Sequence, residues 1–521
     1  MALKPTTNSQ SASCQSRHNG LNTWQGGILL TAECMGTGLL ALPHNVKVLG
    51  KWFGISFILF NLFINQYAGT ILSQSATRVE ERQASLHPKK RQQKDNKDVP
   101  KDSTNPGDIE NERTPLIPVD NNTDKSISSA RSTVVSRSNS ISSTVVENET
   151  EYVWFDVDDT ASLRVDKEEN KTTDFIGMAA SIFRGEHQQH DSPVVGFVML
   201  LYYTNVYLVL GNYILVMSHA VSSVFGGKMC IPIAGLVAST VMFGLAQMRT
   251  MDRLGRSTSI VSLLAMFIVI GQCVYFSAAH PASSDDAGHS MDALPVDPTI
   301  IDKLSSMGSI GFAVGSQKLL LNIRHDLADR STAPQSLAMA LTAFGAVYVF
   351  VSLSAGENPP SFLFDAIPSE GIHRRVAGLC LWIHVAVSYA INSQAICSSM
   401  DRLFFKHWDP VRCLHDDRRW MLLSGVTASS AFFVANSIPF FKDLVGLTGA
   451  LTSVPLTLLL PAVYHRKLLS VPIWKFDTNH LPSFGLMIFS ILFMVSALIG
   501  SVRSIMLDWE NNKVGFFPCT R

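Results

Sequence analysis

A carboxylate and a pair of glycines interrupt the first long apolar stretch of this 521-residue chain. Residues 29–43 carry Glu33, then Gly36, Thr37 and Gly38, and end in a proline. In a bilayer every peptide N–H and C=O must be paired, so helix-weakening residues are tolerated only where the backbone faces protein or a water-filled cavity. A charged carboxylate at that depth is costly and marks a functional site by default. The stretch therefore predicts a broken transmembrane helix that builds a binding site near the membrane midplane.

A second glycine-broken apolar stretch occupies the matching place in the second half of the chain. Residues 307–321 contain Gly311 and Gly315, followed by Ser316 and Gln317. Paired interruptions at corresponding positions of two halves mark the binding site of many transporters. Half-helices that end at such breaks expose N–H groups and a positive dipole end, which suit a substrate carboxylate, and free carbonyls, which suit an ammonium or a cation. Sequence alone also allows close helix packing through small residues at these glycines.

Two titratable residues are candidates for proton coupling. Glu33 lies one turn before the first break, where it can change protonation between two access states; the alternative is a structural carboxylate paired to a polar group on another helix. His384 lies in the eighth apolar span with Ser388 one turn further on, and an imidazole titrates near neutral pH. The alternative interpretation of His384 is a structural histidine whose ring nitrogens are hydrogen-bonded within the helix bundle. The sequence contains no nucleophile–base motif, no Walker loop and no Cys/His metal spacing, so we expect no enzyme, no metal and no cofactor beyond a proton gradient.

The composition is that of a membrane protein diluted by one polar segment. The chain is 46% hydrophobic and 16% charged, whereas soluble proteins average about 25% charged residues. Its net charge is zero, so nothing favours a nucleic acid partner. Eleven apolar stretches, of which the fourth and sixth are shorter than the usual length of about 20 residues, predict an all-α multi-pass membrane protein with about eleven transmembrane helices. They are residues 26–46, 53–75, 194–218, 231–247, 257–279, 307–321, 334–355, 376–399, 421–439, 444–464 and 482–505.

Charge predicts the orientation. With the N-terminus in the cytosol, Lys and Arg collect in the cytosolic loops, whereas residues 280–300 contain four aspartates and no Lys or Arg. This is the positive-inside pattern, to which Arg374 and Arg375 are an exception. The C-terminal tail then lies on the non-cytosolic side. The eight cysteines form no framework, although Cys230 and Cys519 fall on that side and are a conceivable pair.

The polar segment predicts a long cytosolic loop. It is rich in Lys, Gln, Asn, Pro and Ser/Thr, a composition that cannot bury enough apolar surface to fold and that offers phosphorylation sites. The predicted organisation is a disordered cytosolic N-terminus (1–23), transmembrane helices 1–2 (24–77), a disordered loop (78–173), an interfacial helix (174–190), transmembrane helices 3–11 (191–506) and a non-cytosolic tail (507–521).

Within this loop, Glu112 stands four residues before Leu116-Ile117. The spacing resembles an acidic dileucine signal, which cytosolic adaptors read to sort membrane proteins to endosomes, lysosomes or vacuoles. So short a pattern also arises by chance. We expect sorting adaptors as partners and an endomembrane location in preference to the plasma membrane.

Four stretches in order resemble the amino acid/auxin permease superfamily, the amino acid transporter transmembrane family, which includes proton-assisted and vacuolar amino acid transporters. They are Gly36-Thr-Gly-Leu-Leu-Ala-Leu-Pro43, residues 174–185, residues 311–337 and residues 447–464. The resemblance covers nearly all the chain except the N-terminus and residues 78–170. It implies a leucine-transporter-like fold, in which spans one to five and six to ten form inverted repeats and the eleventh is added.

The same resemblance implies a secondary active amino acid transporter in the lipid bilayer. Its small-molecule substrate would bind between broken helices 1 and 6, at Gly36, Thr37, Gly38, Gly311, Gly315, Ser316 and Gln317. Sodium-coupled relatives often have an asparagine at the position that aligns with Ala32, and an alanine side chain cannot hold an ion. Protons are therefore expected as the coupled ion, and sodium is disfavoured. The alternative function is an amino acid sensor or scaffold whose long cytosolic loop recruits partners.

Overall fold

The computed structural model describes residues 21–86, 175–183, 192–247, 255–279, 297–404 except 316 and 370, and 413–512 except 439, 473, 475 and 477. The chain divides into two compact units, residues 1–83 with 152–521 and residues 84–151. Only residues 84–86 are described in the second unit, and all other described residues belong to the first. The described residues of the first unit are helical apart from loops, and their one β pairing is an isolated parallel bridge between Leu21 and Leu327.

Fifteen α-helices, numbered in chain order, occur within the described residues. They are α1 Thr23–Cys34, α2 Thr37–Leu49, α3 Lys51–Leu86, α4 Phe175–Phe183, α5 Pro193–Val224, α6 Ile231–Ala246, α7 Gly255–Ala279, α8 Ile300–Val314, α9 Leu320–Asp326, α10 Ala333–Ser354, α11 Ile372–Phe404, α12 Cys413–Ser437, α13 Phe441–Thr448, α14 Leu460–Leu468 and α15 Leu481–Asn512. Two π-helical turns, Gly449–Ser453 and Pro455–Leu459, join α13 to α14 into one long helical stretch.

The described part confirms an all-α multi-pass membrane architecture. Seven helical stretches in it are long and apolar enough to cross a bilayer: those of α3, α5, α7, α10, α11 and α15, and the joined α13–α14 stretch. The pair α1–α2 passes the same test as one span that bends by 63° at its break. The shorter α6 is apolar as well. The helices α8–α9 and α12 coincide with the other two predicted spans, and the total of eleven stays a prediction.

The first helical hairpin runs further than the sequence indicates. The predicted boundary between residues 77 and 78 falls inside α3, which continues to Leu86. The reason is an ion pair: Arg324 donates from both terminal nitrogens to the Glu80 carboxylate, at 2.7 and 2.8 Å, and its side chain is 3% exposed. The start of the predicted loop is therefore ordered helix, and residues 87–173 lie outside the described residues.

Other predicted boundaries shift by a few residues. The short helix predicted at 174–190 is present as α4, and buried Phe175 accepts a hydrogen bond at its carbonyl from Tyr464 at 3.0 Å. Residues 184–190 lie outside the described residues. The last helix passes residue 506 and ends at Asn512, because Lys442 of α13 holds Asp508 at 2.9 Å. These contacts connect the ends of helices that are distant in sequence, and a hydropathy profile does not report such contacts.

Glycine lets α8 lie directly against the α13–α14 stretch. A Cβ added to Gly449 would stand 1.9 Å from the carbonyl oxygen of Gly308, a distance that no side chain can occupy. The two backbones therefore touch, as they do where small residues line helix interfaces in membranes. This contact fixes the position of α8, whose C-terminal end forms one of the two helix breaks.

Arg374, one of the two exceptions to the positive-inside pattern, has a structural role. Its guanidinium donates to the carbonyls of Phe364 and Ile367 at 2.7 and 2.9 Å and to the hydroxyl of Ser223 at 3.0 Å. It also pairs with Asp365. Because its charge is neutralised and its donors are used, Arg374 fastens the loop between α10 and α11 to the end of α5 instead of signalling orientation.

Candidate functional site

Two broken helices meet at one tyrosine hydroxyl. The first break falls at Met35 and Gly36, between α1 and α2, and the second follows Val314, where α8 ends. The hydroxyl of Tyr348 on α10 lies 2.6 Å from the carbonyl oxygen of Cys34 and 3.0 Å from that of Ala313. The last carbonyls of a helix have no partner within it. The Tyr348 hydroxyl therefore lies within hydrogen-bond distance of carbonyls at the free ends of both half-helices and holds the two breaks at a fixed spacing.

The first break lies slightly earlier than expected. Gly36 caps α2 with an extended backbone, whereas Thr37 and Gly38 belong to its first turn. A Cβ on Gly38 would stand 2.9 Å from the Cα of Ala313, so this glycine permits α2 to approach α8. The N–H groups of the first helical turn have no intrahelical acceptor and lie at the positive end of the helix dipole. Thr37 and Gly38 thus provide donors suited to a carboxylate.

Glu33 has polar partners on two other helices. The side-chain nitrogen of Asn392 on α11 donates to Glu33 Oε1 at 2.8 Å, and the Tyr213 hydroxyl of α5 also bonds to the carboxyl. Both partners are neutral, and a carboxyl oxygen can accept from Asn392 whether or not the group carries a proton. The contacts therefore satisfy Glu33 structurally, as one interpretation of the sequence requires, and leave its protonation free to change.

His384 of α11 presents one ring nitrogen to the first break. Its Nδ1 lies 2.8 Å from the hydroxyl and 3.1 Å from the carbonyl oxygen of Ser262 on α7. A carbonyl can only accept, so a hydrogen bond to it places the proton on Nδ1 and leaves Nε2 with a lone pair. Nε2 is buried without a hydrogen-bond partner among the described residues. It faces Gly36, since a Cβ added there would lie 3.9 Å away.

Lys318 is a site residue that the sequence reasoning missed. It lies in the 3₁₀ turn Gln317–Leu319 that follows the second break, and its ammonium sits 5.2 Å from the centroid of the Phe312 ring. It interacts electrostatically with Glu33 and Cys34 on the other side of the site. The available signal was a cation inside an apolar stretch, which marks a functional residue as strongly as an acid does.

The remaining predicted residues are placed as follows. Gly311 lies inside α8, and a Cβ there would stand 2.8 Å from Val454, so it serves helix packing. Gly315 is the C-cap of α8 at the break itself. Ser316 and the side chain of Gln317 lie outside the described residues. The predicted sorting residues Glu112, Leu116 and Ile117 lie outside them as well.

Polar contacts lie on each side of the two breaks. At one end, Leu21 donates to the Asp326 carbonyl at 2.8 Å and accepts from Ala328 at 2.9 Å, which ties the start of α1 to the loop before α10. At the other end, Lys47 of α2 pairs with Glu357 at 3.1 Å. The hydrogen bond and charge of Lys47 hold the pKa of the Glu357 carboxyl below its ordinary value. The site thus lies between two sets of polar contacts.

No group of three or more His, Cys, Asp or Glu side chains that could hold a metal ion occurs among the described residues. The charged and titratable groups around the breaks are instead single residues from different helices. They are Glu33 of α1, Lys318 after α8 and His384 of α11.

Comparison with known proteins identifies the family of the chain. A family model described as transmembrane amino acid transporter protein matches residues 19–88 and 164–506, which is most of the chain. Among solved structures, the crystal structure of the Eremococcus coleocola manganese transporter, in complex with an aromatic bis-isothiourea substituted compound, is 13% identical, with 93% of this chain and 95% of that chain covered. Its TM-score is 0.28. The family match is the decisive one: the chain belongs to the transmembrane amino acid transporter family.

Proposed function

We propose that this membrane amino acid transporter is driven by a proton gradient and binds its substrate between the α1–α2 break and the α8–α9 break. One observation carries the proposal. The Tyr348 hydroxyl lies within 3.0 Å of carbonyls from both half-helices, so the two sets of free backbone groups share one small region. Discontinuous helices that meet in this way build the substrate sites of many secondary transporters.

The charges around the breaks match a zwitterion. The N–H groups at the start of α2 and the ammonium of Lys318 are suited to the substrate carboxylate. Glu33 and the carbonyls at the end of α1 are suited to the substrate ammonium. An α-amino acid presents both groups at a fixed spacing, so one molecule can engage both breaks at once. Which amino acid side chain the site accepts depends on the residues that line the rest of the site.

Glu33 and His384 are the proposed proton carriers. Nε2 of His384 can take up a proton while Nδ1 stays bonded to Ser262. Glu33 can do so while it keeps its bond to Asn392. Ala32 offers no side-chain oxygen to an ion, and Lys318 already places a cation in the site. These features favour a proton gradient over sodium. Alternating access would then require the contacts at Leu21 and at Lys47 to open in turn.

Uptake into proteoliposomes tests the proposal. The purified protein is given a mixture of the twenty protein amino acids in sodium-free buffer, and the contents are measured by mass spectrometry with and without an imposed pH gradient. We expect at least one amino acid to accumulate only with the gradient, and an uncoupler to abolish the accumulation. A sodium gradient alone should have no effect. Saturable binding without uptake would contradict transport and favour the sensor or scaffold alternative.

The proposed location is an endomembrane compartment, reached through the dileucine-type signal. Changing Leu116→Ala together with Ile117→Ala should move most of the protein to the plasma membrane, because adaptors then lose the apolar pair that they bind. Fluorescence imaging with a compartment marker measures this shift. Val119→Ala, an apolar change just outside the signal, is the matched control and should leave the location unchanged. An unaltered distribution of the double variant would contradict the sorting role.

A further inference from the structure

One cysteine on the described part of the chain is bridged. Cys230, at the N-cap of α6, is disulfide-bonded. Four other cysteines are free thiols, namely Cys34, Cys273, Cys380 and Cys397. The sequence contains eight cysteines. The candidates for the partner are therefore Cys14, Cys413 and Cys519, and the arrangement of the helices decides between them.

A chain of contacts runs from Cys230 to the end of the last helix. Just before Cys230, the end of α5 is fastened to the start of α11, because Arg374 donates to Ser223 at 3.0 Å. The loop that leads into α11 packs on the start of α13, where the Phe362 and Phe441 rings lie 4.6 Å apart. All of these elements end at one face of the membrane.

The last helix ends at the same face. Lys442, beside Phe441 on α13, pairs with Asp508 at 2.9 Å, close to the end of α15. Cys519 follows Asn512, the last residue of α15, by seven residues. Seven residues can span at most about 23–25 Å, which is roughly two helix diameters of 10–12 Å. Cys519 can therefore reach Cys230 along this face without crossing the bilayer.

The described residues that anchor the segments of the other two candidates lie at the opposite face. Trp420, seven residues after Cys413, donates to the carbonyl of Ala246 at 2.9 Å, and Ala246 is the far end of the 16-residue helix that starts beside Cys230. That helix is about 24 Å long. Cys413 is thus separated from Cys230 by most of the membrane.

Cys14 is excluded by the same reasoning. It precedes Leu21 by seven residues, and Leu21 is paired with the backbone just before α10. The 22 residues of α10 then rise about 33 Å to the loop on the Cys230 face. We propose that Cys230 is bridged to Cys519, so that the C-terminal tail is covalently fastened to the turn between α5 and α6.

The bridge also orients the protein. Two thiols lose their hydrogens, and the electron pair passes by thiol–disulfide exchange to an oxidised dithiol oxidoreductase, whose own disulfide is reduced. Such partners act in the secretory pathway, and structural disulfides persist on the non-cytosolic side. The Cys230 face is therefore lumenal or extracellular, and the opposite face, with Leu21 and Glu80, is cytosolic. The segment after α3 then begins in the cytosol, and its Asn-X-Ser/Thr sites at Asn121, Asn148 and Asn170 stay unglycosylated.

Peptide mapping tests the pairing without depending on transport activity. Free thiols of the purified full-length protein are blocked with N-ethylmaleimide, and the protein is digested with trypsin without reduction. We expect the peptide 229–249 joined to 514–521, and its separation into two peptides after reduction. Cys380→Ser, which changes a free thiol, should keep the joined peptide, whereas Cys519→Ser should lose it. Blocked Cys230 in the unreduced wild-type protein, or its linkage to Cys14 or Cys413, would overturn the proposal.

Labelling in sealed vesicles tests the orientation. After mild reduction, a membrane-impermeant maleimide should modify Cys230 and Cys519 only from the lumenal or extracellular side, and the wild-type protein suffices for this measurement. Modification of either residue from the cytosolic side would overturn the assigned orientation. Because the readout is a modified cysteine, its outcome is independent of whether the protein is proton-driven.

Discussion

Glu33→Gln should abolish proton-driven accumulation while exchange of substrate across the membrane continues. One coupled proton supplies about 1.4 kcal/mol, a tenfold accumulation, for each unit of pH difference. Glutamine cannot take up that proton, so the accumulation ratio should fall from about ten to about one at a one-unit gradient. Its amide oxygen can still accept from Asn392, which donates to Glu33 at 2.8 Å in the wild type. The measurement is net uptake and counterflow exchange in the same proteoliposomes.

Glu510→Gln is the matched control for this variant. Glu510 is an exposed glutamate near the end of α15, and it belongs to neither helix break. We expect it to keep the full accumulation ratio. Retention of pH-driven accumulation by Glu33→Gln would show that Glu33 is only structural, and would leave His384 as the proposed proton carrier. Loss of both uptake and exchange would instead indicate a damaged site, which a melting-temperature measurement detects.

Tyr348→Phe should weaken substrate binding by roughly 5- to 150-fold. The hydroxyl lies 2.6 and 3.0 Å from the carbonyls that end the two half-helices. Its removal leaves one of them without a buried donor, which disfavours the arrangement that holds the two breaks together by about 1–3 kcal/mol. The apparent affinity falls with the population of that binding-competent arrangement, about tenfold for every 1.4 kcal/mol. The ring is retained and can keep its packing on Phe344, 5.0 Å away between centroids. Isothermal titration with the transported amino acid measures the change.

Tyr275→Phe is the control for the loss of a tyrosine hydroxyl. Tyr275 lies on α7, and its side chain is largely exposed on the outer surface of the bundle. Its substitution should leave affinity unchanged. If Tyr348→Phe bound the substrate as tightly as the wild type, the two breaks would not depend on the shared hydroxyl. The substrate site would then have to lie elsewhere between the helices.

The prediction of the two breaks rests on residues that are costly in lipid. Gly36 and Gly315 stand at the ends of half-helices as expected, whereas Gly38 and Gly311 lie within helices and serve close packing. The sequence cannot separate these roles, because glycine is favoured both where a backbone unwinds and where two backbones touch. Only the neighbouring atoms, such as Ala313 beside Gly38, distinguish them.

The ends of the helices are also predicted imperfectly from local sequence, because distant contacts affect where a helix stops. Hydropathy ends a transmembrane span where charge begins, so it predicts that the first hairpin ends at residue 77. The structure continues it to Leu86, because the charge of Glu80 is neutralised by Arg324, 244 residues further along the chain. Arg374 is the converse case, a cation that breaks the orientation rule and is neutralised by the loop before α11.

The sequence alone determined the class of the protein, its multi-pass helical architecture, and the two places where helices break. It could do so because the bilayer imposes length and polarity on each segment separately, and those constraints can be read locally. Only the tertiary structure decided which groups meet. Asn392 donates a hydrogen bond to Glu33 across a separation of 359 residues, and the Tyr348 hydroxyl lies within hydrogen-bond distance of carbonyls at both breaks. Such contacts depend on how the helices pack through side-chain shape and hydrogen bonding, and a local sequence pattern does not predict them.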